Sequence, residues 1–266
     1  AVNRVFQAYD VRGIYPDELT PDIAFRIGRA LAAYLEEAMR VEKGHVAVGR
    51  DMRTGSEAIA AAVVHGLEAG GITPVDIGLV STDVAYFAAG AYPNDFCAAV
   101  MITASHNPPE YNGLKFVLSG ARSICANTGM NIVRDIVIAR ADEPPRSIPT
   151  PQLTHRDLTQ AYVEKLRSIA PGPYQPLTVV VDAGNGMAGK VFPLVVAGLP
   201  LRAVGLNMDL DGTFPAHHAD PSDPKNLVQL QQAVLAHHAA LGLAFDGDAD
   251  RVAMVDEKGQ IVAGSL

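Results

Sequence analysis

Apolar residues return along this chain in two alternating rhythms, steps of four and short unbroken runs. Between Thr20 and Arg40, Ile23, Ile27, Leu31 and Leu35 recur every fourth residue, the period of one helix face. Thr20 offers a capping oxygen and Pro21 suits a first turn, so a helix is predicted over 20–40. A strand follows at His45–Val48, then a helix from Gly55 to Ala69 stopped by Gly70-Gly71. Thr73–Ile77 reads as a strand, Asp83–Ala89 as a helix and Cys97–Ile102 as a strand. Beyond them Asn112-Gly113 predicts a turn, and Leu114, Lys115 and Phe116 an alternating strand with Lys115 facing away from its neighbours.

Ala141–Gln152, ADEPPRSIPTPQ, carries four prolines and no apolar period, which predicts a linker. The alternation then restarts: helix Thr159–Ile169, strand Leu177–Val181, helix Gly186–Ala197 and strand Leu201–Leu206. A loop over 207–225 leads to helix Asn226–His238, strand Leu241–Phe245, and short strands at Val252–Asp256 and Gln260–Val262. Strand and helix in this succession predict an α/β fold. Two consecutive domains are expected, 1–140 and 153–266, each a mainly parallel mixed sheet covered by helices, joined by 141–152.

Composition narrows the picture. At 266 residues and 48% hydrophobic content, the chain can bury a substantial core and is not disordered. No run approaches 18 apolar residues without a charge, Gly or Pro, so no membrane span is expected. A net charge of −8 argues against a nucleic-acid partner. Cys97 and Cys125 sit among small apolar residues and read as buried free thiols of a reducing compartment. With no secretory core in AVNRVFQAYDVRG, a cytoplasmic protein is expected.

Three loops carry candidate chemistry. Thr103-Ala104-Ser105-His106-Asn107-Pro108 follows an apolar strand, the place where open α/β sheets collect ligands. A Ser beside a His could be an activated nucleophile, or simply part of a polar turn closed by Pro. Asp246, Asp248 and Asp250 stand at i, i+2 and i+4 between two apolar strands. Carboxylates so crowded repel one another, and a hard divalent cation such as Mg²⁺ relieves that repulsion. An EF-hand is excluded because Arg251 stands where its loop needs Gly, and the flanks read as strands. Gly184, Gly186 and Gly189, ahead of Lys190, satisfy G-x-G-x-x-G after a strand. That leaves a dinucleotide- or nucleotide-binding protein using Gly184–Lys190 as an alternative, beside a purely structural turn. His217 and His218 could ligate a metal, but a capping or polar role fits adjacent histidines in a loop better.

In order along the chain, AYDVRG (8–13), GRDMR (49–53), TASHNP (103–108), YNGLKF (111–116), VDAGNGMAG (181–189), FPAHHADP (214–221) and DGDADR (246–251) resemble the α-D-phosphohexomutase superfamily, in particular its phosphomannomutase/phosphoglucomutase branch. The resemblance implies an isomerase, an intramolecular phosphotransferase that interconverts hexose 1- and 6-phosphates through a phosphoserine and a bisphosphorylated sugar. It makes Ser105 the phosphoryl carrier, and Asp246, Asp248 and Asp250 with Ser105 the Mg²⁺ ligands. It gives His106 and Lys115 acid/base and orienting roles, with Arg12 as a further catalytic group. Tyr9, Arg12, Asn107, Lys115 and Arg251 become substrate-binding, with small sugar phosphates as partners. Thr103, where the glucosamine branch usually has Ser, leans toward plain hexoses.

The charges are consistent with that reading. Three aspartates and Mg²⁺ leave −1, a phosphoserine adds about −2, and Arg12, Lys115 and Arg251 oppose them. Members of the family have four domains, the third and fourth bearing sugar and substrate-phosphate loops. This sequence corresponds to the first two, so poor turnover by this piece alone is expected. The reading also demands that Ser105 and the three aspartates, far apart in sequence, converge.

Overall fold

A computed structural model describes residues 2–41, 44–141 and 153–264. The expected linker, 141–152, lies outside the described residues but for Ala141. Two compact units emerge: residues 1–104 with 110–158, and residues 105–109 with 159–266.

The first unit contains α1 (Val2–Val5), β1 (Val11–Ile14), α2 (Pro21–Glu37), β2 (His45–Arg50), α3 (Ser56–Ala69), β3 (Thr73–Leu79) and α4 (Thr82–Ala91). It continues with β4 (Ala98–Ile102), β5 (Tyr111–Leu118), β6 (Arg122–Ser123), α5 (Asn131–Ala139) and β7 (Thr154–His155). The sheet runs β1-β5-β4-β2-β3-β7, with β6 beside β5. Pairs among β4, β2, β3 and β7 are parallel, while β5 is antiparallel to β1, β4 and β6.

Helix α2 is capped as its sequence predicts, the Thr20 hydroxyl accepting from the Ile23 N–H at 3.1 Å, and Ile23, Ile27, Leu31 and Leu35 are buried. It packs on α3 where Gly28 and Gly66 meet; a Cβ on Gly28 would lie 2.5 Å from the Val63 carbonyl oxygen. Only hydrogen side chains let the two backbones touch. Strand β4 is buried at every position, which is why it reads as an unbroken apolar run.

Three expectations need correcting. Asn112 and Gly113 are not a turn but lie inside β5, where β1 and β4 flank them on both edges. Cys97 and Cys125 are free thiols but only partly buried. Residues 260–262 form no strand beyond an isolated bridge from Ile261 to Val255. Helix α5 is not among the predicted elements, although Val133 and Val137, four apart, form its buried face.

The second unit contains α6 (Thr159–Ile169), β8 (Leu177–Asp182), α7 (Ala188–Val196), β9 (Leu201–Leu206), α8 (Val228–Ala236), β10 (Leu241–Phe245) and β11 (Val252–Asp256). Its sheet runs β11-β10-β8-β9, parallel except for the β10–β11 hairpin. Val180, Leu227, Leu230, Val234, Ala244 and Val255 form its core under α8. Among the described residues, no helix is long and apolar enough to cross a membrane.

Candidate active site

The acidic loop is the tip of the β10–β11 hairpin. The Arg251 N–H donates to Asp246 Oδ1 at 3.1 Å and the Ala249 N–H to the Asp246 carbonyl at 3.1 Å, so the chain folds back within five residues. Ala249 takes a left-handed φ of 61°, a turn that its small side chain tolerates. Asp246 and Asp248 are buried and Asp250 is more open, and carboxylate oxygens of all three lie within 4.8 Å of one another. Burial first, then the charges of Asp248 and Asp250, push the Asp246 carboxyl up to about 8; a hydrogen bond from Ser105 opposes them. A cluster of hard oxygens that raises its own pKa is suited to a divalent cation.

Ser105 reaches that cluster. Its hydroxyl is fully buried and donates to Asp246 Oδ2 at 2.8 Å. Arg251 Nη2 donates to the same hydroxyl oxygen at 3.2 Å, while Arg251 Nε stands 3.8 Å from both Asp246 and Asp250. His106 Nδ1 lies 3.5 Å from Ser105 Oγ, a long and weak contact. The Ser105 backbone has φ 53°, a conformation that costs a non-glycine residue about 1–3 kcal/mol and persists only where the surroundings enforce it. Asn107 follows, half-buried.

Other expected residues belong to the first unit. Arg12 on β1 is opposite Gly113 on β5, and Lys115 is two residues further along, so the two cations share one face of neighbouring strands. Lys115 is partly exposed between buried Leu114 and Phe116, as its alternation predicts. Tyr9 is 77% exposed. Arg12 already pairs with Asp10 at 2.8 Å, so the charge balance must include that carboxylate. Thr103 is buried with its hydroxyl on Asp51.

The glycine-rich loop has an internal explanation. A Cβ on Gly186 would lie 2.7 Å from the Gly247 carbonyl oxygen, and the Met187 N–H donates to that oxygen at 2.9 Å. A Cβ on Gly189 would collide with the Met208 carbonyl. These glycines seat the loop against the acidic hairpin and against Met208, so a dinucleotide or nucleotide site at Gly184–Lys190 is not supported.

His217 is no metal ligand here: Nε2 pairs with Asp182 Oδ2 at 2.9 Å and Nδ1 with the His218 carbonyl at 2.9 Å. The Asp182 hydrogen bond, against the effect of burial, raises its pKa. Two further groups were assigned no role from sequence. Asp220 feels the charge of His106; burial pushes its carboxyl up, but hydrogen bonds from Ser222 and the fields of His106 and His218 hold it down. Asn185, with φ 59°, joins loops by donating to the Asp209 carbonyl at 3.0 Å and accepting from the Ala216 N–H at 3.3 Å. Polar residues inside short loops give no apolar period, so only a loop motif could have pointed to them.

Two α/β units, the second setting a buried serine hydroxyl against an acidic hairpin, define the class of fold and site. The phosphoglucomutase/phosphomannomutase α/β/α domain I matches residues 3–140, and domain II of the same family matches residues 160–259. The chain belongs to the phosphoglucomutase/phosphomannomutase family. It is 40% identical over 260 residues to a Xanthomonas campestris protein named "Phosphohexose mutases", covering 97% of this chain and 56% of that one. It is 38% identical over 259 residues to a Pseudomonas aeruginosa phosphomannomutase/phosphoglucomutase, covering 97% and 53%. A crystal structure of a phosphoglucomutase/phosphomannomutase family protein from Burkholderia thailandensis superposes with TM-score 0.84 at 36% identity, over 97% of this chain and 56% of that one. The chain thus spans about half the length of the curated relatives it matches.

Proposed function

We propose that the whole protein is a phosphohexomutase, an isomerase that moves a phosphoryl group between the 1- and 6-positions of hexose phosphates by way of Ser105 and a sugar bisphosphate. One observation carries the reading: the buried Ser105 hydroxyl, held in a left-handed turn, lies 2.8 Å from Asp246 within the acidic cluster.

Asp246, Asp248 and Asp250, joined by an oxygen on Ser105, would hold Mg²⁺, which when bound supplies positive charge to a phosphoryl group in transfer. Ser105 is poised by Asp246, which orients its hydroxyl, and by Arg251, whose guanidinium meets the same oxygen. In-line phosphoryl transfer depends chiefly on such positioning and charge screening. Arg251 can therefore follow the developing charge on the phosphoryl oxygens. His106, beside Ser105 and in the field of Asp220, is the nearby group able to shuttle a proton. Lys115 is the proposed base for an attacking sugar hydroxyl, with Arg12, Tyr9 and Asn107 as substrate-side groups. These last assignments rest on the sequence resemblance. Free thiols at Cys97 and Cys125 favour a cytoplasmic setting.

The test is intact-protein mass spectrometry with site mapping after incubation with glucose 1,6-bisphosphate and Mg²⁺. One phosphoryl group on Ser105, absent from Ser105→Ala and lost on addition of hexose phosphate, is the expected result. An unmodified Ser105 would overturn the reading.

A further inference from the structure

Five polar side chains of the first unit are buried together at the end of β4 and the start of β5: Asp51, Arg53, Ser56, Thr103 and Asn112. The Asp51 backbone N–H donates to the carbonyl of Ile102, the last residue of β4, at 3.0 Å. The Asp51 carboxylate accepts from the Ser56 hydroxyl at 2.7 Å and the Arg53 backbone N–H at 3.1 Å, and also from the Thr103 hydroxyl. Arg53 Nε lies 3.3 Å from Asp51 Oδ2, neither side chain reaching water. Arg53 Nη1 then donates to the carbonyl of Tyr111, the first residue of β5, at 3.1 Å. Asn112 Nδ2 completes the group by donating to Ser56 Oγ at 2.9 Å and the Thr54 carbonyl at 3.3 Å.

The cluster therefore grips Ile102 and Thr103 on one side and Tyr111 and Asn112 on the other. Those are the points at which the segment bearing Ser105 leaves and rejoins the sheet. A fully buried ion pair is a poor source of stability, since apolar residues of similar size commonly do as well or better. What it does supply is direction, because the hydrogen bonds around the ion pair depend on angle. The strained backbone of Ser105 requires that kind of enforcement.

We propose that Asp51, Arg53 and Ser56 are positioning residues for phosphoryl transfer, clamping both ends of the 104–110 segment so that the Ser105 hydroxyl is presented along one line. This rests on Ser105 being the phosphoryl carrier. The bonds described above run within the cluster and to the backbone of the two strand ends, so its action is on the rate of transfer and not on binding.

The test follows phosphorylation of Ser105 in the whole protein against glucose 1,6-bisphosphate concentration, with Mg²⁺ titration and thermal unfolding in parallel. Asp51→Asn should lower the maximal rate about 100-fold, the scale of a 1 Å misplacement, with half-saturating donor concentration and Mg²⁺ affinity unchanged. Ser56→Ala should lower it less, and Arg53→Lys, which keeps the charge but not the reach to Tyr111, should fall between wild type and Asp51→Asn. Wild-type maximal rates in folded Asp51→Asn and Ser56→Ala would overturn the proposal, as would losses matched by weaker donor or Mg²⁺ binding. Should Asp51→Asn not fold, Ser56→Ala decides by the same criteria. A wild-type chain that takes no phosphoryl group overturns the reading of Ser105 itself, and this proposal with it.

Discussion

Asp51 in the first unit and Asp246 in the second are both sealed from water, and in both, burial drives the carboxyl pKa upward. They differ in what stands beside them. Asp51 has Arg53 at 3.3 Å, an equally buried cation, together with donors from Ser56 and the Arg53 backbone. Asp246 has two more aspartates for neighbours, and Arg251, half exposed, stands with Nε 3.8 Å from its carboxylate. One acid is neutralised by its own chain; the other is left needing a charge from outside. The first arrangement is bonded to two strand ends, and the second is suited to a divalent cation.

Four substitutions would break or sharpen that contrast. Asp51→Asn strands the Arg53 charge and should destabilise the fold by about 3–5 kcal/mol, read by denaturant unfolding; a neutral result would mean the pair is not buried in solution. Asp248→Asn should act in the opposite direction on the metal-free protein. Relief of like-charge repulsion raises its melting temperature, while Mg²⁺ affinity measured by calorimetry falls by about 100-fold or more. A parallel loss of stability in both variants would erase the distinction.

Gly186→Ala places a methyl against the Gly247 carbonyl. It should cost about 1–3 kcal/mol as overpacking and weaken Mg²⁺ binding, while phosphoryl-independent stability of the first unit is untouched; differential hydrogen exchange over the two units checks this. The smallest effect concerns His217. Its folded-state pKa is raised by Asp182, so the pair's stabilisation is complete below the unfolded histidine value near 6.5. It is lost as pH rises through the higher folded value. The contribution is on the order of 1 kcal/mol or less for a partly solvated pair, and in His217→Asn the corresponding slope of melting temperature with pH should vanish.

The helices and strands were legible where burial repeats. Helix α2 has its period, its Thr20 cap and its proline in the sequence, and the central strands have unbroken apolar runs. The acidic hairpin was also legible, because three carboxylates between two apolar strands have few purely structural explanations. Asn112-Gly113 misled because a turn propensity is local, whereas β1 and β4 claim both edges of that segment as strand. The glycines at 184, 186 and 189 left two readings open for a related reason: a nucleotide loop and a tight internal packing need the same missing side chains.

By itself, then, the sequence determined the alternation of elements, the cap and core of α2, and the spacing of Asp246, Asp248 and Asp250, all of which depend on neighbours a few residues apart. Tertiary structure alone decided which of those elements share a sheet and that residues 105–109 group with the second unit. It also decided that Ser105 donates to an acid 141 positions away and that Asp51 and Arg53 bridge two strand ends. Such pairings depend on distance in space, and a one-dimensional pattern records only distance along the chain.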